Sequence, residues 1–200
     1  VQAAPVEEPF AAHYLRRVQL GHFAGMDYMT RHVEMRLQPA LLHPGVQTIV
    51  SLALNYMPAR RQPALCLYAQ GEDYHDVMRG RLRMLMERLG AHGRCFVDTA
   101  PVMERYWAWR SGVGTLCRNG LVAVPGYGPT VFLGELFLEE PCDAFDVPLQ
   151  PSPALDEGWQ DFCPALTPQG LDARLCINYW TIEHRGELPQ ELRLTDTFYG

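Results

Sequence analysis

The run VQTIVSLALNY at residues 46–56 restricts the fold more than any other stretch of this chain. It is uncharged, β-branched at Val46, Thr48, Ile49 and Val50, and too short to cross a membrane, so it reads as a buried strand. Residues 130–138 (TVFLGELFL) and 95–97 (CFV) read as further strands. Between the first and the last of these, Tyr74, Val77, Met78, Leu82, Leu85, Met86 and Leu89 recur at helical spacing, and Gly90 and Gly93 end the run. Residues 102–109 read as another helix, and 120–124 as a strand joined to 130–138 by a turn at 125–129. Strand, helix, strand and then a pair of strands predict an α/β layered domain. Upstream, residues 10–36 read as helical with a break at Gly21 and Gly25, interrupted after that by Pro39 and Pro44. Residues 58–63 read as a polar loop and 65–69 as a short strand. After about residue 141 proline and acids dominate, and the only regular pattern is a short helix over 172–183 with Asp172 as its cap.

Two hundred residues with 48% hydrophobic types suffice for one packed domain with a small appendage. The opening VQAAPVEEPF lacks the basic start and apolar core of a secretory signal, which predicts a cytoplasmic protein. The six cysteines are widely spaced, as free thiols of a reducing compartment are, and Cys66 and Cys95 lie in apolar runs where they read as small core residues. All 17 basic residues are arginine; 13 of them precede residue 111, while 13 of the 23 acids follow it. A polyanion would therefore approach the N-terminal part and avoid the acidic tail. Arg79, Arg81, Arg83 and Arg88 cluster on one helix and read chiefly as its solvated face.

The candidate chemistry lies between Asp73 and Asn119. Asp98 leaves the strand-like CFV and precedes Thr99-Ala100-Pro101, where the chain must turn. A carboxyl group so placed suits proton chemistry on a bound ligand; equally, it could cap the helix that follows Pro101. The loop SGVGTLCRNG carries Ser111, Gly112, Gly114, Arg118 and Asn119, where glycines permit close approach to a flat ligand or simply a tight helix-to-strand connection. His75 stands beside Asp73 at a helix start, a place for packing or loop orientation. Trp107 and Trp109 read as core or pocket wall, and Glu135 fits a buried hydrogen-bonding acid. No G-x-S-x-G is present, and the histidines show no zinc-binding spacing.

The ordered set GMDYM (25–29), LLHPGVQTIVSLALNY (41–56), YAQGEDYH (68–75), FVDTAPVMER (96–105), SGVGTLCRNG (111–120), GPTVFLGEL (128–136), DARLCINYWTIE (172–183) and LPQELR (188–193) resembles the epoxyqueuosine reductases from about Gly21 to Gly200. Eight ordered matches are far more specific than one motif. The resemblance implies a layered α/β cobalamin-binding domain over residues 1–140, followed at 141–200 by the remnant of a ferredoxin-like module. It implies an oxidoreductase that reduces epoxyqueuosine to queuosine in tRNA, with cobalamin and two four-iron four-sulfur clusters as cofactors. Asp98 matches the family's proton donor, and to hold its proton at neutral pH it should be buried, against Phe96, Pro101 and the corrin. The implied cofactor contacts are Tyr56, His75, Asp98, Thr99, Ser111, Arg118 and Asn119; Glu135 and Glu183 also match family positions. The resemblance implies no protein histidine on the cobalt.

The cluster half departs from the family. Its first cysteine run, C-x-x-C-x-x-C-x-x-x-C-P, places ligands here at Pro153, Asp156, Trp159 and Cys163, of which only Cys163 can supply a thiolate. The second run would follow Gly200. Arg118-Asn119 after Cys117 replaces the usual GKN, and Leu67 stands where an arginine is common. These departures raise a rival expectation, a non-catalytic relative that binds or transfers a corrinoid, and the further expectation that the chain is trimmed at both ends.

Overall fold

The computed structural model describes residues 1–21, 23, 26–58, 67–117, 120–151, 166–167 and 170–171. Helix α1 spans Phe10–Gln19, α2 Val33–Leu37 and α3 Pro39–Leu42; strand β1 is Thr48–Asn55, α4 Tyr74–Leu89, β2 Gly93–Phe96, α5 Glu104–Arg110, β3 Thr115–Leu116, β4 Val122–Ala123 and β5 Val131–Leu138. Two short strands, β6 (Leu166–Thr167) and β7 (Gly170–Leu171), pair with each other.

The main sheet has the order β1-β5-β2, with β5 antiparallel to both neighbours. The last of these strands in the chain thus enters between the two earlier ones, which run parallel to each other. Because side chains alternate along a strand, the register sorts two cores. Ile49, Phe96 and Phe137 share one face with α5, where Tyr106, Trp107 and Trp109 are buried, and Val1, Val6 and Phe10 close that side. Leu136, Leu138 and Val97 face α4 through Met78 and Leu82. Each side chain so buried contributes about 1.5–3 kcal/mol. The α/β layering is as expected, with helices on both faces of the sheet.

Several local expectations are corrected. Residues 10–36 are not one broken helix: α1 stops at Gln19, Gly21 takes the left-handed region at φ 65°, and a 3-10 turn, Asp27–Met29, lies before α2. Pro39 starts α3 rather than interrupting a helix, since proline at a first helical position forfeits no intrahelical bond. Leu67–Ala69 is a 3-10 turn, not a strand, and GEDYH leads from it straight into α4. The strands expected at 120–124 and 130–138 do not pair with each other: β4 joins β3, and β5 joins β1 and β2. The helix expected at 172–183 lies outside the described residues, as do Cys66, Cys163, Cys176 and Glu183.

Asp73 caps α4 by accepting the His75 backbone N–H at 2.9 Å, and Gly90 ends the helix in the left-handed region. Gly93 has φ 151°, and a Cβ there would overlap the Phe137 carbonyl on the neighbouring strand. Gly93→Ala is therefore expected to lower stability by about 2–3 kcal/mol, measured by urea unfolding, with retained stability refuting the close approach.

Candidate functional site

Strand β2 ends at Phe96, and two residues later Asp98 adopts φ 55°, a left-handed conformation that non-glycine residues rarely take. This conformation throws the carboxyl toward the start of α4. The Tyr74 hydroxyl donates to Asp98 Oδ2 at 2.5 Å, and His75 Nε2 lies 3.5 Å from the same oxygen. The His75 Nδ1 stands 2.8 Å from Asp73 Oδ1, so the ring is held between two acids and also stacks on Tyr74, with centroids 4.0 Å apart. Tyr74 in turn lies flat on Phe132, 4.0 Å away with an interplanar angle of 9°. Burial first, then the hydrogen bond to Asp98, raises the Tyr74 pKa, so the hydroxyl remains a donor.

The helix-cap alternative for Asp98 is excluded. Met103 occupies the N-cap of α5 without a side-chain bond, and the Asp98 carboxyl is held by Tyr74. The relation is reversed: Glu104, first residue of α5, accepts the Asp98 backbone N–H through Oε1 at 2.5 Å. Nor is Asp98 buried against Phe96 and Pro101 as expected. Its side chain is 60% exposed, because the left-handed turn lifts it off the sheet while Phe96 points into the core.

Two other acids are withdrawn from water, Glu135 wholly and Glu104 in part. Glu135 on β5 is wholly buried opposite Ser51, whose hydroxyl donates to Oε1 at 3.2 Å; its Oε2 has no hydrogen-bond partner. Loss of solvation, then the neighbouring Glu104 charge, pushes its pKa well above the usual carboxylate range. Burial also pushes Glu104 up to about 7, with the Asp98 charge adding to the shift and the Asp98 N–H opposing it. Both carboxyls bind protons more tightly in the folded protein. For Glu104 the stabilisation is complete below the unfolded value of 4.5 and is lost as pH rises through about 7; the shift of Glu135 acts in the same direction. Unfolding free energy should thus fall between pH 5 and 8 by roughly 2 kcal/mol or more, and Glu135→Gln should make that slope shallower. An unchanged slope in this variant would show that Glu135 holds no extra proton.

An open cleft of about 190 Å³ adjoins these groups, lined by Tyr74, Asp98, Glu104 and Arg105 on a polar side. Leu121, Val122, Pro129, Val131, Phe132 and Leu133 form an apolar side. The arrangement can receive a flat, largely apolar group and present it with an acid, a phenol and a guanidinium.

The remaining expected residues are spread around this centre. Thr99 follows Asp98, and its Oγ1 accepts from Arg79 Nη2 at 3.0 Å. Tyr56 sits behind the apolar wall, its ring 4.5 Å from that of Phe132. Ser111 is buried, its hydroxyl donating back to the Trp107 carbonyl at 2.5 Å, and it does not line the cleft. Gly112 and Gly114 are approached by protein backbone: a Cβ would lie 2.5 Å from the Val147 carbonyl oxygen at the first and 2.6 Å from that of Ala123 at the second. Arg118 and Asn119 lie outside the described residues. Trp107 and Trp109 are core residues, and Arg81, Arg83 and Arg88 are exposed on α4. Sequence reasoning missed Tyr74, read there only as an apolar helix position, and Glu104, whose signal was a second acid six residues after Asp98. Among the described residues no group of three or more His, Cys, Asp or Glu side chains could hold a metal ion.

Residues 36–99 match the family model described as Epoxyqueuosine reductase QueG, DUF1730. An epoxyqueuosine reductase from Leadbetterella byssophila is 35% identical, over 96% of this chain and 67% of its own. This chain belongs to the epoxyqueuosine reductase family. Relatives of the same description from Pseudomonas aeruginosa (39% identical, 91% of this chain, 55% of theirs) and Escherichia coli K12 (36%, 88% and 51%) agree. The chain thus spans about half to two thirds of the length of these family members. The fold matches a crystal structure of epoxyqueuosine reductase with a tRNA-Tyr epoxyqueuosine-modified stem loop, at TM-score 0.76 and 29% identity over 96% of this chain and 55% of that one. It also matches the Bacillus subtilis enzyme solved with its catalytic aspartate loop swung out of the active site, at TM-score 0.72, 29% identity and the same coverage.

Proposed function

We propose that this chain carries the corrinoid-facing, acid-bearing part of a cytoplasmic oxidoreductase that converts epoxyqueuosine to queuosine in tRNA, with cobalamin as cofactor. On this reading residues 1–140 form the cobalamin-binding unit, and 141–200 correspond to the ferredoxin-like module. The observation that carries it is Asp98, held by Tyr74 in a cleft whose lining also includes the apolar Leu121, Val122, Val131, Phe132 and Leu133. That apolar lining suits the face or edge of a corrin, although about 190 Å³ is too small to enclose the whole group. Val122, Val131, Phe132 and Leu133 would hold it, with Arg105 available to polar substituents at the rim. When bound, cobalamin supplies the electrons of the reduction.

Converting an epoxide to an alkene releases its oxygen as water and consumes two electrons and two protons. Asp98 gives the first proton to the oxygen as the ring opens, so that it becomes a hydroxyl rather than an alkoxide; a second proton, drawn from solvent, lets that oxygen leave as water. Tyr74 and His75 fix the direction of the carboxyl. Closure of the cleft by substrate and cofactor would supply the burial that the open site lacks. The epoxyqueuosine reductases described above support this reading, and none of them favours a non-catalytic corrinoid carrier.

The test supplies a chemical electron donor, because three of the four positions of the first cysteine run are Pro153, Asp156 and Trp159. Protein mixed with cobalamin should show a shifted visible spectrum, and should then convert an epoxyqueuosine-bearing stem loop to its queuosine form. No spectral change on mixing would overturn the proposal.

A further inference from the structure

The structure assigns Glu104 as a positioning residue: its side chain clasps the backbone amide of Asp98 and keeps the acid-bearing turn at the cleft. The assignment rests on the reading of Asp98 as the proton donor and adds the means by which that donor is held. A left-handed backbone at a non-glycine residue persists only where the surroundings over-determine it. Around Asp98 they do so at three points. Tyr74, with His75 beside it, holds the carboxyl, Arg79 holds the Thr99 hydroxyl, and Glu104 holds the Asp98 N–H at 2.5 Å.

Of these three anchors, Glu104 alone acts on the Asp98 backbone. It also stands on a helix anchored in the core, since α5 buries Tyr106, Trp107, Ala108 and Trp109. Removing the Tyr74 contact frees a carboxyl; removing the Glu104 contact frees the turn. The Bacillus subtilis relative, solved with its catalytic loop out of the active site, has a loop of this kind that leaves its place.

The clasp depends on charge. An N–H bonded to a carboxylate is held more strongly than one bonded to a neutral acid. Glu104 is faced by Asp98 on the turn, Glu135 on β5, Tyr74 on α4, Arg105 on its own helix and Arg36 on α2. The buried Glu135 favours its neutral form, through loss of solvation and then the Glu104 charge, which limits the negative charge beneath the clasp. With Glu104 titrating at about 7, the turn is clasped above neutrality and loosened below it.

The test reads the Asp98 amide by NMR on the full chain across about pH 5.5–8.5, without cofactor or substrate. The amide proton should move downfield as pH rises, with a midpoint near the Glu104 value of about 7. In Glu104→Gln this titration should vanish, and exchange of the Asp98 amide with solvent should quicken by about tenfold or more. An Asp98 amide that ignores pH over this range, or titrates unchanged in the variant, overturns the assignment. The wild-type titration decides even if the variant fails to fold. In the reduction assay, Glu104→Gln should lower kcat by about tenfold or more with KM within about twofold, because a displaced acid harms the chemical step more than binding. Should the amide behave as expected while Asp98→Asn remains active, the clasp stands and the acid reading falls. Loss of activity in Asp98→Asn with an indifferent amide gives the reverse.

Discussion

Asp98→Asn will lower the reduction of epoxyqueuosine by about 10²- to 10⁴-fold, the range expected when a general acid is removed, while leaving the fold intact. Asparagine is nearly isosteric, and it tolerates the left-handed region better than most residues, so the φ of 55° remains accessible. Its amide oxygen can still accept the Tyr74 hydroxyl, and its backbone N–H can still reach Glu104. What the substitution removes is the transferable proton. Single-turnover conversion of the modified stem loop measures the effect, and thermal unfolding followed by circular dichroism checks that the midpoint is unchanged. Activity within about threefold of the parent would take Asp98 out of the acid role.

Phe137→Ala is the substitution expected to harm folding most. The Phe137 side chain is 1% exposed, meets Phe96 edge-to-face with centroids 4.8 Å apart, and faces Ile49 in the β1 register. It stands on the central strand, so the space left by its ring is walled by both neighbouring strands and α5, none of which can collapse without breaking register. A loss of about 3–5 kcal/mol is expected, equivalent to a fall of roughly 10 °C or more in Tm for a chain of this size. The control is Leu89→Ala, at a position 59% exposed near the end of α4, which should stay within about 0.5 kcal/mol. Urea unfolding of both variants measures the difference. A Phe137→Ala protein as stable as the control would mean that β5 does not occupy the centre of the sheet.

The two effects have different origins. Phe137 matters through the volume it fills; in the proposed reaction Asp98 acts through a proton on an exposed side chain that contributes little to packing. Between them stand Glu104 and Glu135, which belong to both accounts. Their burial costs stability as pH rises, and it places carboxyl groups of raised pKa directly behind the turn that carries Asp98. A buried acid with an unpartnered oxygen, such as Glu135, is unusual enough to call for an explanation. Retention of its proton is the simplest one.

Much of this was legible in the chain. The β-branched run at 46–56 became β1, the helical spacing from Tyr74 to Leu89 became α4, and the Asp98 turn fell where an acid leaves a strand before proline. These features are local: periodicity, propensity and turn chemistry act over a few residues, so the linear order carries them. Partners in space were not legible. Nothing in the order of residues says that β5 enters between β1 and β2, that Ser51 meets Glu135 across 84 positions, or that Tyr74 reaches Asp98. Nor could composition tell that Asp98 is exposed while Glu135 takes the burial expected of it and Glu104 is half-buried. Strand pairing and desolvation depend on contacts between distant segments, and only the packed sheet, with its register settled, decides which acid meets water and which keeps its proton.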